Sequence, residues 1–177
     1  MGNRSVWQVA RVRPEFENVA AAHLSHKGFE VFLPPCGSLY QGSDRKKWSE
    51  KPLFPGYLFC RINASGKQIV LTTPGVLHLV GIGEDCWVDE SEVVALKIIV
   101  QSAQPYEPGA FSYTGPKIRV HDGPLRNLEG VLVNPERHAR IAVGLSLLQR
   151  SVLVDLPEDT HFKQVPVKGL TPISVPA

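Results

Sequence analysis

The sequence predicts an α+β domain followed by a small β-barrel, and three observations carry that reading. Strand-like and helix-like segments alternate as β-α-β-β-α-β-α up to Ser102. A stretch with Pro105, Pro108, Gly109 and Gly115 and few aliphatic residues follows, as in a linker. Beyond it, four or five short strands occupy about fifty residues, the pattern of a small barrel.

Each element has a local cause. Val6 to Val12 is rich in strand formers, and Pro14 ends it. Glu15 to Lys27 reads as a helix with acidic residues in its first turn, Gly28 as its stop, and Phe16, Val19, Ala20 and Leu24 as its apolar stripe. Trp7 is expected in the core. Phe29 to Leu33 is a second strand closed by Pro34-Pro35. Residues 38 to 51 are polar and basic and read as a hairpin tip or long loop, before a third strand over Leu53 to Ile62. A short helix over Gly66 to Thr72 stops at Pro74-Gly75, and Val76 to Gly81 returns as a strand. Asp89 is placed as an N-cap with Glu92 at the reciprocal capping-box position, and Val93, Leu96 and Val100 follow at helical spacing over Glu90 to Ser102. In the second half Ile118 and Val120 alternate, Gly123-Pro124 turns, and Gly130 to Asn134 is a strand. Strict alternation then recurs over Ile141 to Leu147 and Val152 to Leu156. The expected division is a first domain over 1–104, a linker over 105–115 and a barrel over 116–177.

Composition excludes several classes. The chain has 177 residues, 43% of them hydrophobic and 20% charged, so it is globular rather than disordered. Net charge is only +2, so any nucleic-acid surface must be local. No apolar run reaches membrane-spanning length, and the N-terminal residues lack the apolar stretch of a secretion signal. Cys36, Cys60 and Cys86 form no close pair, against both a disulfide framework and zinc. A cytoplasmic monomer without cofactor or metal and without membrane contact is expected. The six histidines form no HExxH, and Gly81-Ile-Gly83 is too short for a dinucleotide fingerprint, so no enzyme is expected.

The segment Pro52-Leu-Phe-Pro-Gly-Tyr-Leu-Phe-Cys-Arg-Ile62 places Phe54 and Tyr57 beside a Pro55-Gly56 break in an apolar strand. With Val120-His-Asp-Gly-Pro-Leu-Arg-Asn-Leu-Glu-Gly-Val131, which is similar to a KOW motif, it resembles the NusG family of transcription elongation factors. The resemblance spans residues 6 to 165 and implies an antiparallel sheet flanked by helices (an NGN domain), then an SH3-like KOW barrel. It implies that an apolar pocket containing Phe54, Pro55, Gly56 and Tyr57, with Arg11 at its edge, grips the clamp helices of the RNA polymerase largest subunit. Closing the clamp would suppress pausing or termination. As unaided residues, Phe54 and Tyr57 read equally well as core aromatics.

Further positions follow from the same resemblance. Arg45, Lys46, Lys47 and Trp48 are the densest basic cluster and suit phosphate contact with stacking, or else a solvated tip. Arg13, His23, His26 and Lys27 lie where specialised paralogs of the RfaH-like kind read the non-template DNA strand. His23 also falls on the helix's apolar stripe, which reads as a partly buried histidine. On the barrel, Leu125, Leu148 and Arg150 mark the partner surface that in the family takes a small-subunit ribosomal protein or Rho. Leucine where housekeeping members carry phenylalanine argues against Rho and for a specialised antitermination factor. The competing reading is an RNA-binding or ribosome-associated KOW protein, which predicts a steep salt dependence on free RNA.

Overall fold

The structure, a computed structural model, is described for residues 4–36, 51–81, 86–134, 136 and 138–166. It has two antiparallel sheets in series. The first contains β1 (Val6–Val12), β2 (Glu30–Phe32), β3 (Tyr57–Ile62) and β4 (Val76–Leu79), ordered β2-β3-β1-β4. Helices α1 (Glu17–His26), α2 (Gly66–Leu71) and α3 (Glu90–Gln101) join or follow these strands. Strand period two sorts the side chains onto two faces. Ala10, Val12, Leu58, Cys60 and Ile62 pack with Ala20 and Leu24 of α1 on one face. Trp7, Val9 and Phe59 pack with Val93, Leu96 and Ile99 of α3 on the other.

The second sheet is ordered β10-β6-β7-β8-β9-β5 and consists of β5 (Tyr106–Gly109), β6 (Lys117–Val120), β7 (Glu129–Val133), β8 (Arg140–Leu145), β9 (Arg150–Asp155) and β10 (Phe162–Gln164). Its inward residues, among them Ile118, Val120, Leu132, Ile141, Val143, Val152 and Val154, are buried. The α+β order and the all-strand second half are as the sequence predicts.

Several local expectations change. Residues Tyr106 to Gly109, expected in a linker, form an edge strand paired with Val154 to Ser151 of β9. Pro108 is tolerated there because one flank of an edge strand needs no donor. Tyr106 is buried, its hydroxyl donates to the Pro35 carbonyl at 2.8 Å, and burial pushes its pKa up to about 12. On α1 the stripe is rotated: Phe16 and Val19 are exposed, and Glu17 is buried beside Ala20 and Leu24. On α3 the Asp89 side chain accepts from Ser91 N, as an N-cap does. Glu92 does not reach back to complete a capping box. Its carboxylate accepts from the Ser146 backbone N at 3.1 Å and hydroxyl at 2.7 Å, in the β8–β9 turn.

That contact fastens the second sheet onto the α3 face of the first. One apolar cluster runs from Trp7, Val9 and Phe54 through α3 into the barrel core, and Leu147 and Leu148 of the β8–β9 turn pack against it.

Candidate functional site

The site is built on the bend that precedes β3. Tyr57 N donates to the Phe54 carbonyl at 3.1 Å and Gly56 has φ +80°, the geometry of a type II turn with Pro55 and Gly56 at its corners. Only glycine takes that conformation without strain, and a Cβ there would lie 2.5 Å from Arg11 Nη1. Val12 N donates to the Gly56 carbonyl at 2.9 Å, which docks the bend on the end of β1.

A buried carboxylate fixes the other side of the bend. Glu17 Oε1 accepts from Gly56 N at 2.7 Å. The first turn of α1 suits this charge, because the helix N-terminus is the positive end of its dipole. Sequence patterning missed Glu17, since an acidic residue in a first helical turn is ordinarily solvated. Its burial is set by a partner 39 positions away. Glu17→Ala should leave the Gly56 amide unpaired and cost about 1–3 kcal/mol, whereas Glu17→Gln, which keeps an acceptor, should lose less. Thermal melts of the two variants check the order.

Arg11 and Tyr57 are directly opposite in the β1–β3 ladder and share the α3 face. The Arg11 guanidinium lies 4.5 Å from the Tyr57 ring centroid and donates to the Pro55 and Gly56 carbonyls at 3.4 Å each. Arg150, from the barrel, reaches the same ring at 5.8 Å. The structure therefore brings together Arg11, Pro55, Gly56, Tyr57 and Arg150, residues from both ends of the sequence.

Two residues expected to face partners are buried instead. Phe54 is 1% exposed, with its ring against Phe59 at 6.5 Å between centroids, so it props the bend from beneath. Leu125 is also 1% exposed, because the turn after Gly123 sends it inward as Arg126 N bonds the Gly123 carbonyl and Leu128 N bonds the Leu125 carbonyl. Leu148 is half-buried at the seam between the sheets.

Arg13, His23, His26 and Lys27 are all exposed on or beside α1, and Lys27 Nζ bonds Thr73 Oγ1 at 2.9 Å. The partly buried histidine expected at position 23 is not found, because the rotated α1 stripe turns it to solvent. Arg45, Lys46, Lys47 and Trp48 lie outside the described residues; the flanking segments 34–36 and 51–53 hydrogen-bond to one another. Among the described residues no three His, Cys, Asp or Glu side chains converge as a metal ion would require. Burial pushes the Cys60 thiol up to about 12, which keeps it protonated and unreactive at neutral pH.

Comparison with known proteins adds the following. The family model described as "Transcription termination factor nusG" matches residues 5–97, just over half of the chain. The transcription termination/antitermination protein NusG of Pseudomonas aeruginosa is 28% identical over 161 residues, covering 87% of this chain and 88% of that protein. The protein of the same name from Escherichia coli O6:H1 strain CFT073 is 28% identical over 175 residues, covering 90% and 94%. A solved structure described as "Domain interaction in Thermotoga maritima NusG" superposes with a TM-score of 0.53 at 18% identity, covering 92% of this chain and 98% of that one.

Proposed function

The chain belongs to the NusG family, and from that premise we propose that it is a non-enzymatic transcription elongation and antitermination factor. It binds RNA polymerase through the face that carries Arg11, the Pro55-Gly56 bend and Tyr57, against the clamp helices of the largest subunit. Holding the clamp closed then suppresses pausing or termination. One observation carries the reading most: Arg11, the Pro55-Gly56 bend and Tyr57 lie side by side, with Glu17 and the end of β1 holding the bend, while Phe54 supports it from beneath. A pre-set aromatic with a neighbouring guanidinium offers large contact area at little cost in side-chain entropy.

Exposed Arg13, His23 and His26 on the α1 side are a second contact, to the non-template DNA strand. The barrel recruits a partner such as a small-subunit ribosomal protein through Leu148 and Arg150. Arg150 lies over Tyr57 of the first sheet and Leu148 packs against the apolar cluster that the two sheets share, so on this reading seating of the barrel competes with both engagements.

The test is retention of the Tyr57→Ala variant on immobilised core RNA polymerase. Loss of a central interface aromatic should weaken binding by roughly 2 kcal/mol, or about thirtyfold. Removing Tyr57 also frees Arg150 and so loosens the barrel, which acts in the opposite direction, so a net loss is diagnostic. In a Leu148→Asp background, where the barrel is already loosened, a folded Tyr57→Ala variant retained as well as Leu148→Asp alone overturns the assignment.

A further inference from the structure

From the premise, proposed above, that the barrel unseats, we propose that β5 is a strap that moves with it. Tyr106 bolts the strap at Pro35, and once that bolt is drawn the barrel stays tethered by residues 102–105 alone.

The segment between α3 and β6 is engaged along its length. At its start Ser102 Oγ donates to the Ile99 carbonyl at 2.7 Å and accepts from Gln104 N at 3.2 Å, while Ala103 takes φ +56°. These contacts turn the chain off the end of α3. β5 then meets both halves of the molecule, and it holds them unequally.

Toward the barrel the hold is broad. Tyr106–Gly109 pairs in register with residues 151–154 of β9, and Asp155 N donates to the Pro105 carbonyl at 3.0 Å. Arg140 of β8 clamps the pair from the next strand. Its Nη1 donates to Glu107 Oε1 at 2.9 Å, and its Nε forms an ion pair with Asp155 Oδ1 at 2.7 Å. Ser151 Oγ donates to the Ala110 carbonyl at 2.5 Å, just past the end of β5. Toward the first half the hold is the Tyr106 side chain, with its ring in the shared apolar cluster and its hydroxyl donating to the Pro35 carbonyl at 2.8 Å. Peeling β5 from β9 would break a ladder and a shared ion pair together. Drawing Tyr106 from Pro35 breaks one hydrogen bond and uncovers one ring, so that is the easier rupture.

The difference sets how far the barrel travels. Had β5 stayed behind at Pro35, residues 107–116 would reach about 35 Å when extended. With β5 on the barrel, residues 102–105 reach at most about 14 Å. A tether that short keeps the effective concentration of the barrel at the Tyr57 face high. The barrel therefore swings aside and reseats instead of drifting away.

The experiment is amide hydrogen exchange of the full chain, read residue by residue by nuclear magnetic resonance, without polymerase. Two amides report the two ruptures. Ser146 N is held by Glu92 across the seam, and Asp155 N is held by the Pro105 carbonyl within the strap. Tyr106→Phe keeps the ring, removes the hydroxyl and leaves the Pro35 carbonyl without its donor. It should speed exchange at Ser146 by about three- to tenfold and leave Asp155 unchanged. Leu148→Asp, which loosens the seam without touching the strap, should likewise expose Ser146 and spare Asp155. Loss of protection at Asp155 in step with Ser146 overturns the proposal, because β5 then peels from β9. Exchange at Ser146 that Tyr106→Phe does not move overturns it as well, because the hydroxyl is then no bolt. Polymerase plays no part in the measurement, so its failure and that of the retention assay are distinguishable.

Discussion

Leu148→Asp should raise the apparent affinity for RNA polymerase by roughly ten- to a hundredfold, although the residue lies in the barrel and not on the face proposed to bind polymerase. Leu148 packs half-buried against the apolar cluster that joins the sheets, next to the Ser146–Glu92 bonds and Arg150 over Tyr57. A carboxylate there meets both a loss of apolar burial and an unpaired charge, together worth roughly 2–3 kcal/mol against the closed arrangement. When the competent state is a small fraction of the population, apparent affinity falls by that fraction, and opening restores it. Glu92→Ala removes two hydrogen bonds from the same seam and should give a smaller gain of about tenfold or less. Binding titrations read the affinity, and small-angle scattering reads the separation of the two units. Separated units with unchanged affinity would show that the covered face is not the polymerase site. Units that stay together would show that Leu148 is not what fastens them.

Gly130→Ala should be strongly destabilising. A Cβ at Gly130 would lie 2.4 Å from the Ala142 carbonyl oxygen and 2.8 Å from Ile141 Cγ1. The first of these is backbone on the neighbouring strand, so relief requires spreading β7 from β8 in the middle of the sheet. The cost should be about 3 kcal/mol, enough to unfold a domain of this size in part at physiological temperature. Gly144→Ala is the matched control. Its added Cβ meets only Phe111 Cε2 at an ordinary 3.7 Å, so it should be neutral or slightly stabilising. Thermal denaturation followed by far-ultraviolet circular dichroism separates the two.

Much of the fold was legible because it rests on local rules. Strand-forming residues with a proline stop placed β1, period-two alternation placed β8 and β9, and spacing plus the Asp89 cap placed α3. The KOW-like glycine at position 130 stood where one strand passes too close to another for a side chain. What was not legible depends on partners distant in sequence. Glu17 reads as a solvated first-turn acid until Gly56 N is seen to need an acceptor. Glu92 reads as half of a local cap until Ser146 arrives beside it. Pro108 reads as linker chemistry until the strand it occupies proves to be at an edge. At the site, the bend itself was readable from Pro55-Gly56, but not which neighbouring aromatic points down and which out. Strand parity after the turn decides that, sending Tyr57 to the face and leaving Phe54 beneath it.

The position of Glu92, engaged by Ser146 yet three residues after the Asp89 cap, bears on how the two halves part company. While the barrel is seated, this carboxylate serves Ser146 and the first turn of α3 is held by Asp89 alone. Once Ser146 withdraws, Glu92 stands three residues after the cap, within reach of the Asp89 amide that a reciprocal cap would satisfy. Separation therefore exchanges a distant pair of donors for a near one, and α3 tightens as the seam is lost. A hand-over of about 0.5–1 kcal/mol narrows the gap between shut and open. The first turn of α3 thus carries a reserve cap that is used only when the seam is open.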